Sequence, residues 1–249
     1  MRQSDLQADA LAFMFAHQFV EQTIDEKDLH NPLAHDIQYP TKAPLSDRII
    51  DRNEVAEKVV FCALADLHAQ RRLIVTVRPR ETLLGLRGLA RLAQWFGWPR
   101  YDVLLQRDGS FNASPLNSAL VEVFNNQLQP GSDFISEPRI TVRALLKGLF
   151  RTREEPREPY QDILRWVGDQ LIDEGYYHDS TDLTVGEIPI REAKPDLERM
   201  RDAQPRADEL RERLDRFAQR EPEIYQALRD SVAATMKEIS TLHQRRYTL

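Results

Sequence analysis

Apolar residues recur at spacings of three and four along most of this chain, a pattern typical of amphipathic α-helices. Ser4 can cap the first of these helices and Asn53 can cap the second. The pattern predicts helices at about residues 4–22, from 53 onward, and at 81–96, 116–128, 140–150 and 160–174. Two further helical runs follow Pro195, and Pro205 and Pro222 are expected to divide them.

The stretch LADLHAQRRLIVTVRP, residues 64–79, changes from helical to strand periodicity at Arg71 and Arg72. The β-branched composition of residues 73–77 predicts a short strand. A hairpin is predicted from residues 101–106, a turn at residues 107–110 and Phe111, because Asp-Gly in the turn tolerates positive φ.

These elements predict a mainly α-helical, multi-helix globular domain with one or two short β-hairpins. With 249 residues, the chain is long enough to bury a hydrophobic core without disulfides. We expect residues 1–52 to form an N-terminal helix and a proline-containing wrap, and residues 53–192 to form a helical core with hairpins. Residues 193–249 are expected to form a C-terminal helical segment packed on that core.

The composition argues for a cytoplasmic protein. Hydrophobic residues make up 41% of the chain and charged residues 30%, and no apolar run reaches the length of a transmembrane helix. The N-terminus lacks the basic region of a signal peptide. Cys62 is the single cysteine, which excludes an internal disulfide, and it is expected to be a small core residue.

No motif for nucleotide binding, nucleophilic catalysis or zinc proteolysis occurs in the chain. We therefore predict a non-enzymatic protein with no catalytic residue and no cofactor. His68, at a helix end, is expected to contact terminal carbonyls rather than to act as a base. No metal site is predicted, because the densest group of potential ligands lies in a proline-broken segment without helical spacing. That group is Asp25, Glu26, Asp28, His30, His35 and Asp36.

Basic residues are concentrated in two central segments, although the net charge is -6. Residues 71–107 contain eight arginines and two acidic residues, and residues 139–157 contain six basic and two acidic residues. These arginines either solvate helix surfaces or form an anion-binding face with neighbouring aromatic rings. The residues predicted for the anion-binding face are Arg72, Arg91, Trp98, Arg100, Arg143 and Arg151.

Residues 160–177, YQDILRWVGDQLIDEGYY, follow the helix, glycine and strand layout of winged-helix proteins, which read DNA through a basic helix. Gly175 suits the end of the helix. The helix offers four acidic residues against Arg165, and phosphates would be repelled. A winged-helix nucleic-acid-binding regulator is therefore the alternative function.

Six short motifs occur in an order that resembles the Golgi phosphoprotein 3 family, over about residues 54–236. The segments that carry the resemblance are Leu64–Leu73, Ser114–Leu120, Val142–Leu149, Leu171–Tyr176, Leu210–Leu214 and Glu221–Leu228. Eukaryotic members of that family are peripheral membrane adaptors that bind phosphatidylinositol 4-phosphate, so the resemblance implies a similar adaptor role.

The chain departs from the family pattern at several positions. Arg71 replaces the glycine of an RGRL-type pattern, and the positions of the lipid-contacting arginines hold Val60, Gln161 and Leu164. The family's first acidic helix is not recognisable. The lipid site of the family is thus not retained at these positions.

The sequence favours a cytoplasmic protein that acts peripherally at a membrane or as an adaptor. Its expected partner is an anionic phospholipid headgroup or another protein, held by arginine donors with aromatic insertion adding apolar burial. Nucleic acid is the less favoured partner, and no transmembrane segment is predicted.

Overall fold

The computed structural model describes residues 6–20, 43–46, 48–79, 101–111, 114–126, 139–150, 158–185 and 188–247. Over these ranges the chain is mainly α-helical with two small antiparallel sheets, which confirms the predicted fold class. The helices are α1 (Ala8–Met14), α2 (Ala16–Phe19), α3 (Arg52–Ala69), α4 (Pro115–Asn126), α5 (Val142–Leu149), α6 (Pro159–Asp173), α7 (Leu197–Arg220) and α8 (Pro222–Tyr247). The strands are β1 (Leu73–Pro79), β2 (Tyr101–Arg107), β3 (Arg139–Thr141), β4 (Tyr177–Val185) and β5 (Ile188–Pro195).

The chain divides into two compact units, each built from three separate stretches. The first unit contains Met1–Ala63, Ser114–Leu116 and Tyr160–Arg213, and the second contains Leu64–Ala113, Asn117–Pro159 and Leu214–Leu249. The expected segments 1–52, 53–192 and 193–249 remain a prediction. None of the described helices combines the length and apolar character needed to cross a bilayer.

The first unit contains α1, α6 and the β4–β5 hairpin, each of which contributes buried apolar side chains. The ring of Phe13 meets the buried ring of Tyr177 edge to face, with centroids 5.9 Å apart. The helix predicted at residues 4–22 is divided over its described part, because α1 ends before Phe15 and the short α2 begins after it. Every residue of α1 is buried, including Asp9, whose carboxylate accepts a hydrogen bond from the hydroxyl of Ser114 at 2.8 Å.

The second unit contains a three-stranded sheet in the order β1, β2, β3, with both pairs antiparallel. Alternate residues face the core, and the buried positions are Leu73, Val75, Val103, Leu105 and Ile140. Helix α8 contacts β1 and β2, and it also contacts α5. The predicted hairpin over residues 101–111 is wrong, because β2 pairs with β1 and β3 instead of folding back after the turn.

Helix boundaries differ from the prediction where neighbouring residues are equally able to cap. The carboxylate of Asp51 accepts a hydrogen bond from the backbone N–H of Asn53 at 2.8 Å, so Asp51, not Asn53, satisfies the start of α3. Thr141 caps α5 by accepting from the N–H of Ala144, and the residues before it form β3. Pro205 lies inside the continuous helix α7, so the prediction that it divides two helical runs is wrong.

Two other predictions hold. Pro222 is the first residue of α8, where a missing N–H costs no intrahelical bond. Cys62 is buried in α3, as expected of a small core residue. The predicted helix at 81–96 lies outside the described residues.

Helix α6 ends at a turn of the Schellman type, as the glycine predicted. The N–H of Tyr176 donates to the carbonyl of Leu171 and the N–H of Gly175 donates to that of Ile172. Gly175 has φ of 77°, a left-handed conformation that glycine adopts without a Cβ penalty. The turn leads directly into β4.

Candidate anion-binding surface

Helix α3 also ends in a Schellman turn, but an arginine occupies the left-handed position. The N–H of Arg72 donates to the carbonyl of Leu67, and the N–H of Arg71 donates to that of His68, each at 2.9 Å. Arg71 has φ of 58° and its side chain is exposed. The turn therefore places two consecutive arginines at the beginning of β1.

The end of β2 lies beside these two arginines. In the β1–β2 register, Arg107 is opposite Leu73, the first residue of β1. The N–H of Asp108 donates to the carbonyl of Arg72 at 2.9 Å. A Cβ atom added at Gly109 would lie 3.8 Å from the Cα of Arg72, so the turn after β2 contacts the backbone of the arginine pair.

The start of β3 completes this end of the sheet. Arg139 is opposite Gln106 in the β2–β3 register, and its Nε donates to the Oε1 of Gln106 at 3.0 Å. Because both strand pairs are antiparallel, the start of β1, the end of β2 and the start of β3 lie at the same end of the sheet. We call Arg71, Arg72, Arg107 and Arg139 the arginine cluster.

The cluster joins the two basic segments of the sequence. Arg71 and Arg107 are the first and last arginines of the segment 71–107, and Arg139 is the first basic residue of the segment 139–157. The turn contributes one acidic residue, the exposed Asp108, against the four arginines. Among the described residues of these turns and strand ends, arginines therefore outnumber acidic residues, although the net charge of the whole chain is -6.

Neutral groups hold Arg107 in place. Its Nε donates to the carbonyl of Gly109 at 2.8 Å, and one terminal nitrogen lies 3.4 Å from the Oδ1 of Asn125. Its guanidinium carbon lies 5.5 Å from the ring centroid of Phe111, and that ring packs edge-on against Phe124. The side chain is thus oriented by hydrogen bonds and a cation–π contact that leave its charge intact.

Arg143, a predicted ligand-binding residue, has a different environment. Its Nε and a terminal nitrogen donate to the two carboxylate oxygens of Glu238 at 2.8 and 2.6 Å. Lys147 donates to the same carboxylate at 2.7 Å. The Arg143 and Lys147 hydrogen bonds hold the pKa of Glu238 below its usual range. The charge of Arg143 is therefore partly offset by a carboxylate that it shares with Lys147.

The other predicted site residues fall into two groups. Arg72 lies in the cluster, and one of its terminal nitrogens lies 3.4 Å from the carbonyl oxygen of Ser110. Arg91, Trp98, Arg100 and Arg151 lie outside the described residues.

Sequence reasoning missed the three other members of the cluster. Arg71, Arg107 and Arg139 are separated along the chain, and only strand pairing brings them together. Composition predicts the strand at residues 73–77, and the Asp-Gly turn predicts residues 101–106 as one arm of a hairpin. Pairing them with each other would have placed Arg107 beside Arg72.

The solvent face of β1 adds an exposed apolar side chain next to the cluster. Alternation along the strand places Ile74 on the face opposite the buried Leu73 and Val75. Ile74 is 36% exposed and lies opposite Gln106, the residue that holds Arg139. An apolar side chain therefore lies on the same face of the sheet as Arg139.

His68 joins the same turn to the last helices. One ring nitrogen lies 3.0 Å from the carbonyl oxygen of Leu73, and the other lies 3.4 Å from a carboxylate oxygen of Glu221. The ring packs against Phe217 with centroids 4.8 Å apart. The predicted contact with terminal carbonyls of the helix is wrong, because the ring nitrogen contacts the carbonyl of the first residue of β1. With both nitrogens engaged, His68 serves to hold the turn.

No group of three or more potential metal ligands converges within the described part of the chain. The acidic and histidine-containing segment at 25–36 lies outside it. No family model, curated protein or solved structure matches this chain. The resemblance to the Golgi phosphoprotein 3 family stays a prediction that depends on the short motifs given above.

Proposed function

We propose that this protein is a non-enzymatic peripheral membrane protein that binds anionic phospholipid headgroups through the arginine cluster. The observation that carries the proposal is that neutral groups orient Arg107 and Arg139. Each uses its Nε to bind an amide or backbone oxygen. The guanidinium groups are thus ordered before binding, and their positive charge is available to a phosphate.

The expected binding energies favour weak and reversible association of the protein with a membrane. A basic residue near an anionic bilayer contributes about 1 kcal/mol, so four arginines contribute about 4 kcal/mol, or roughly a thousandfold in affinity. Partial burial of Ile74 adds less than the roughly 1.5–3 kcal/mol of a fully buried aliphatic side chain. Binding of this kind is sensitive to salt, because surface charges are screened over about 10 Å at 0.1 M.

The layout of α6 and the β4–β5 hairpin follows the order of a winged-helix module, but its charges disfavour nucleic acid. Arg165 pairs with Asp162 at 2.7 Å, and the exposed surface of the helix also carries Asp169 and Asp173. A phosphate backbone approaching this face would meet carboxylates. Headgroup binding is therefore preferred to nucleic-acid binding.

Sedimentation with lipid vesicles tests the proposal. The full chain is mixed with vesicles of phosphatidylcholine alone, or of phosphatidylcholine with phosphatidylserine. A parallel filter-binding measurement uses duplex DNA, and a vesicle-free spin controls for aggregation.

We expect sedimentation only with anionic vesicles, and release as salt increases. Equal sedimentation of the protein with neutral and with anionic vesicles would contradict the proposal. DNA retention that is sensitive to salt, without vesicle binding, would favour the nucleic-acid alternative instead.

A further inference from the structure

The two Schellman turns allow a direct comparison between arginine and glycine at one backbone position. Arg71 and Gly175 occupy equivalent places, each donating its N–H to a carbonyl three residues earlier, with φ of 58° and 77°. Residues with a Cβ are disfavoured in this left-handed region, and glycine is the usual occupant. Arginine at position 71 therefore makes the turn less stable than glycine would.

Packing does not account for the arginine at position 71. At the second turn, the guanidinium of Arg199 donates to the carbonyl of Glu174 at 2.8 Å and fills the space next to Gly175. At the first turn, the side chain of Arg71 is exposed. Across the described parts of the chain, it makes no hydrogen bond, ion pair or ring contact. The side chain thus contributes no polar or ring contact, within the described residues, that would offset the backbone strain.

The position of Arg71 supplies a functional reason for the strain. It immediately precedes Arg72 in the cluster, at the sheet end that also carries Arg107 and Arg139. Strained residues that persist without a structural contact are concentrated at ligand-binding sites. We propose that Arg71 is an affinity-determining contact of the arginine cluster, retained where glycine would give a more stable fold. This inference rests on the proposed function.

Three substitutions separate the backbone from the charge. Arg71→Gly removes both the strain and the charge. Arg71→Asn removes the charge with a side chain that tolerates the left-handed region, whereas Arg71→Lys keeps the charge. Arg211→Gln, an exposed arginine of α7 in the other unit, is the matched control for loss of one positive charge.

Each variant is measured in two ways, by thermal unfolding and by sedimentation with phosphatidylcholine–phosphatidylserine vesicles. We expect Arg71→Gly to raise the unfolding midpoint by about 2–4 °C. The same variant should weaken vesicle binding by about fivefold, the effect of one basic residue at an anionic surface. Arg71→Asn should weaken binding similarly, Arg71→Lys should retain most of it, and Arg211→Gln should leave it unchanged.

Two results would overturn the inference. If Arg71→Gly lowers the unfolding midpoint, the arginine stabilises the fold and the strain argument is wrong. If Arg71→Gly and Arg71→Asn bind as the unsubstituted protein does, Arg71 is not a contact. The double variant Arg107→Gln/Arg139→Gln distinguishes this failure from that of the proposed function: weakened binding by the double variant leaves the proposed function standing, whereas normal binding by it means that the proposed function fails as well.

Discussion

Arg143 and Glu238 form a two-bond ion pair between α5 and α8, with nitrogen–oxygen distances of 2.8 and 2.6 Å. Lys147 joins the same carboxylate one helical turn further along α5. One acidic side chain thus binds two cations of a short amphipathic helix. The pair connects residues that are 95 positions apart in the chain.

This three-residue ion-pair network makes stability depend on pH in the acidic range. The pKa of Glu238 is lower in the folded protein than the ordinary glutamate pKa of about 4.3. The contribution of Glu238 to the free energy of unfolding is therefore fully present above about pH 4.3 and is lost as pH falls through the lowered pKa. Glu238→Gln should cost about 1 kcal/mol at neutral pH, because the three groups are partly exposed. Urea denaturation at several pH values and salt concentrations measures the difference.

The difference between Glu238→Gln and the unsubstituted protein should decrease below pH 4 and at high salt. A difference that is independent of both would mean that the substitution acts through packing and not through charge.

The buried carboxyl of Asp9 gives the opposite pH dependence. Burial raises its pKa, despite hydrogen bonds from Ser114 and the N–H of Ala10, and Glu174 raises it further. The pKa of Asp9 is higher in the folded state than in the unfolded state, where it is about 3.9. The free energy of unfolding is therefore highest below about pH 3.9, and it falls as pH rises from 3.9 through the raised pKa. Asp9→Asn should therefore unfold at a higher temperature than the unsubstituted protein at neutral pH, and this advantage should vanish in acid.

Ser114→Ala serves as the partner test for Asp9. Loss of the hydroxyl donor to a buried carboxyl should cost about 1–3 kcal/mol of unfolding free energy. The account of Asp9 would be contradicted by an Asp9→Asn protein whose stability relative to the unsubstituted protein is the same in acid and at neutral pH.

Gly148 allows α5 to approach α4 closely. A Cβ atom at this position would lie 2.6 Å from Cγ1 of the buried Val123, closer than real Cβ contacts. Gly148→Ala gains about 1 kcal/mol of helix propensity, but overpacking of this kind costs about 1–3 kcal/mol. We expect a net loss of stability in chemical denaturation.

The same substitution in a Val123→Ala background tests the cause. Because the clashing methyl groups are absent there, Gly148→Ala should become neutral or stabilising, which a double-mutant cycle measures as a coupling energy. Equal effects in both backgrounds would show that Val123 is not the limiting contact.

Local chemistry allowed much of the fold to be predicted, whereas the candidate site depended on long-range pairing. The helices and the strand at 73–77 follow from periodicity and β-branched composition, and Gly175 marked the end of α6. The partner of β2 could not be read from the turn at Asp108-Gly109, because a turn signal does not fix which strands pair. The sequence also could not show whether Asp51 or Asn53 caps α3, since both residue types cap helices well.

The arginines illustrate the same limit. Sequence position alone makes Arg143 and Arg107 equivalent candidates for an anion-binding face. The neutral partner of Arg107 is two residues away, while the carboxylate that offsets Arg143 comes from a distant helix. The distinction between an arginine oriented by neutral groups and an arginine paired with a carboxylate therefore requires tertiary structure.

The most direct test of the arginine cluster is a comparison of anionic-vesicle affinity among the unsubstituted protein, Arg107→Gln/Arg139→Gln and Arg143→Gln, with circular dichroism as a check on folding. We expect the double variant to lose about thirtyfold in affinity, from two basic residues at about 1 kcal/mol each, and Arg143→Gln to bind as the unsubstituted protein does. Normal binding by a folded double variant, or an equally large loss in a folded Arg143→Gln, would contradict the account.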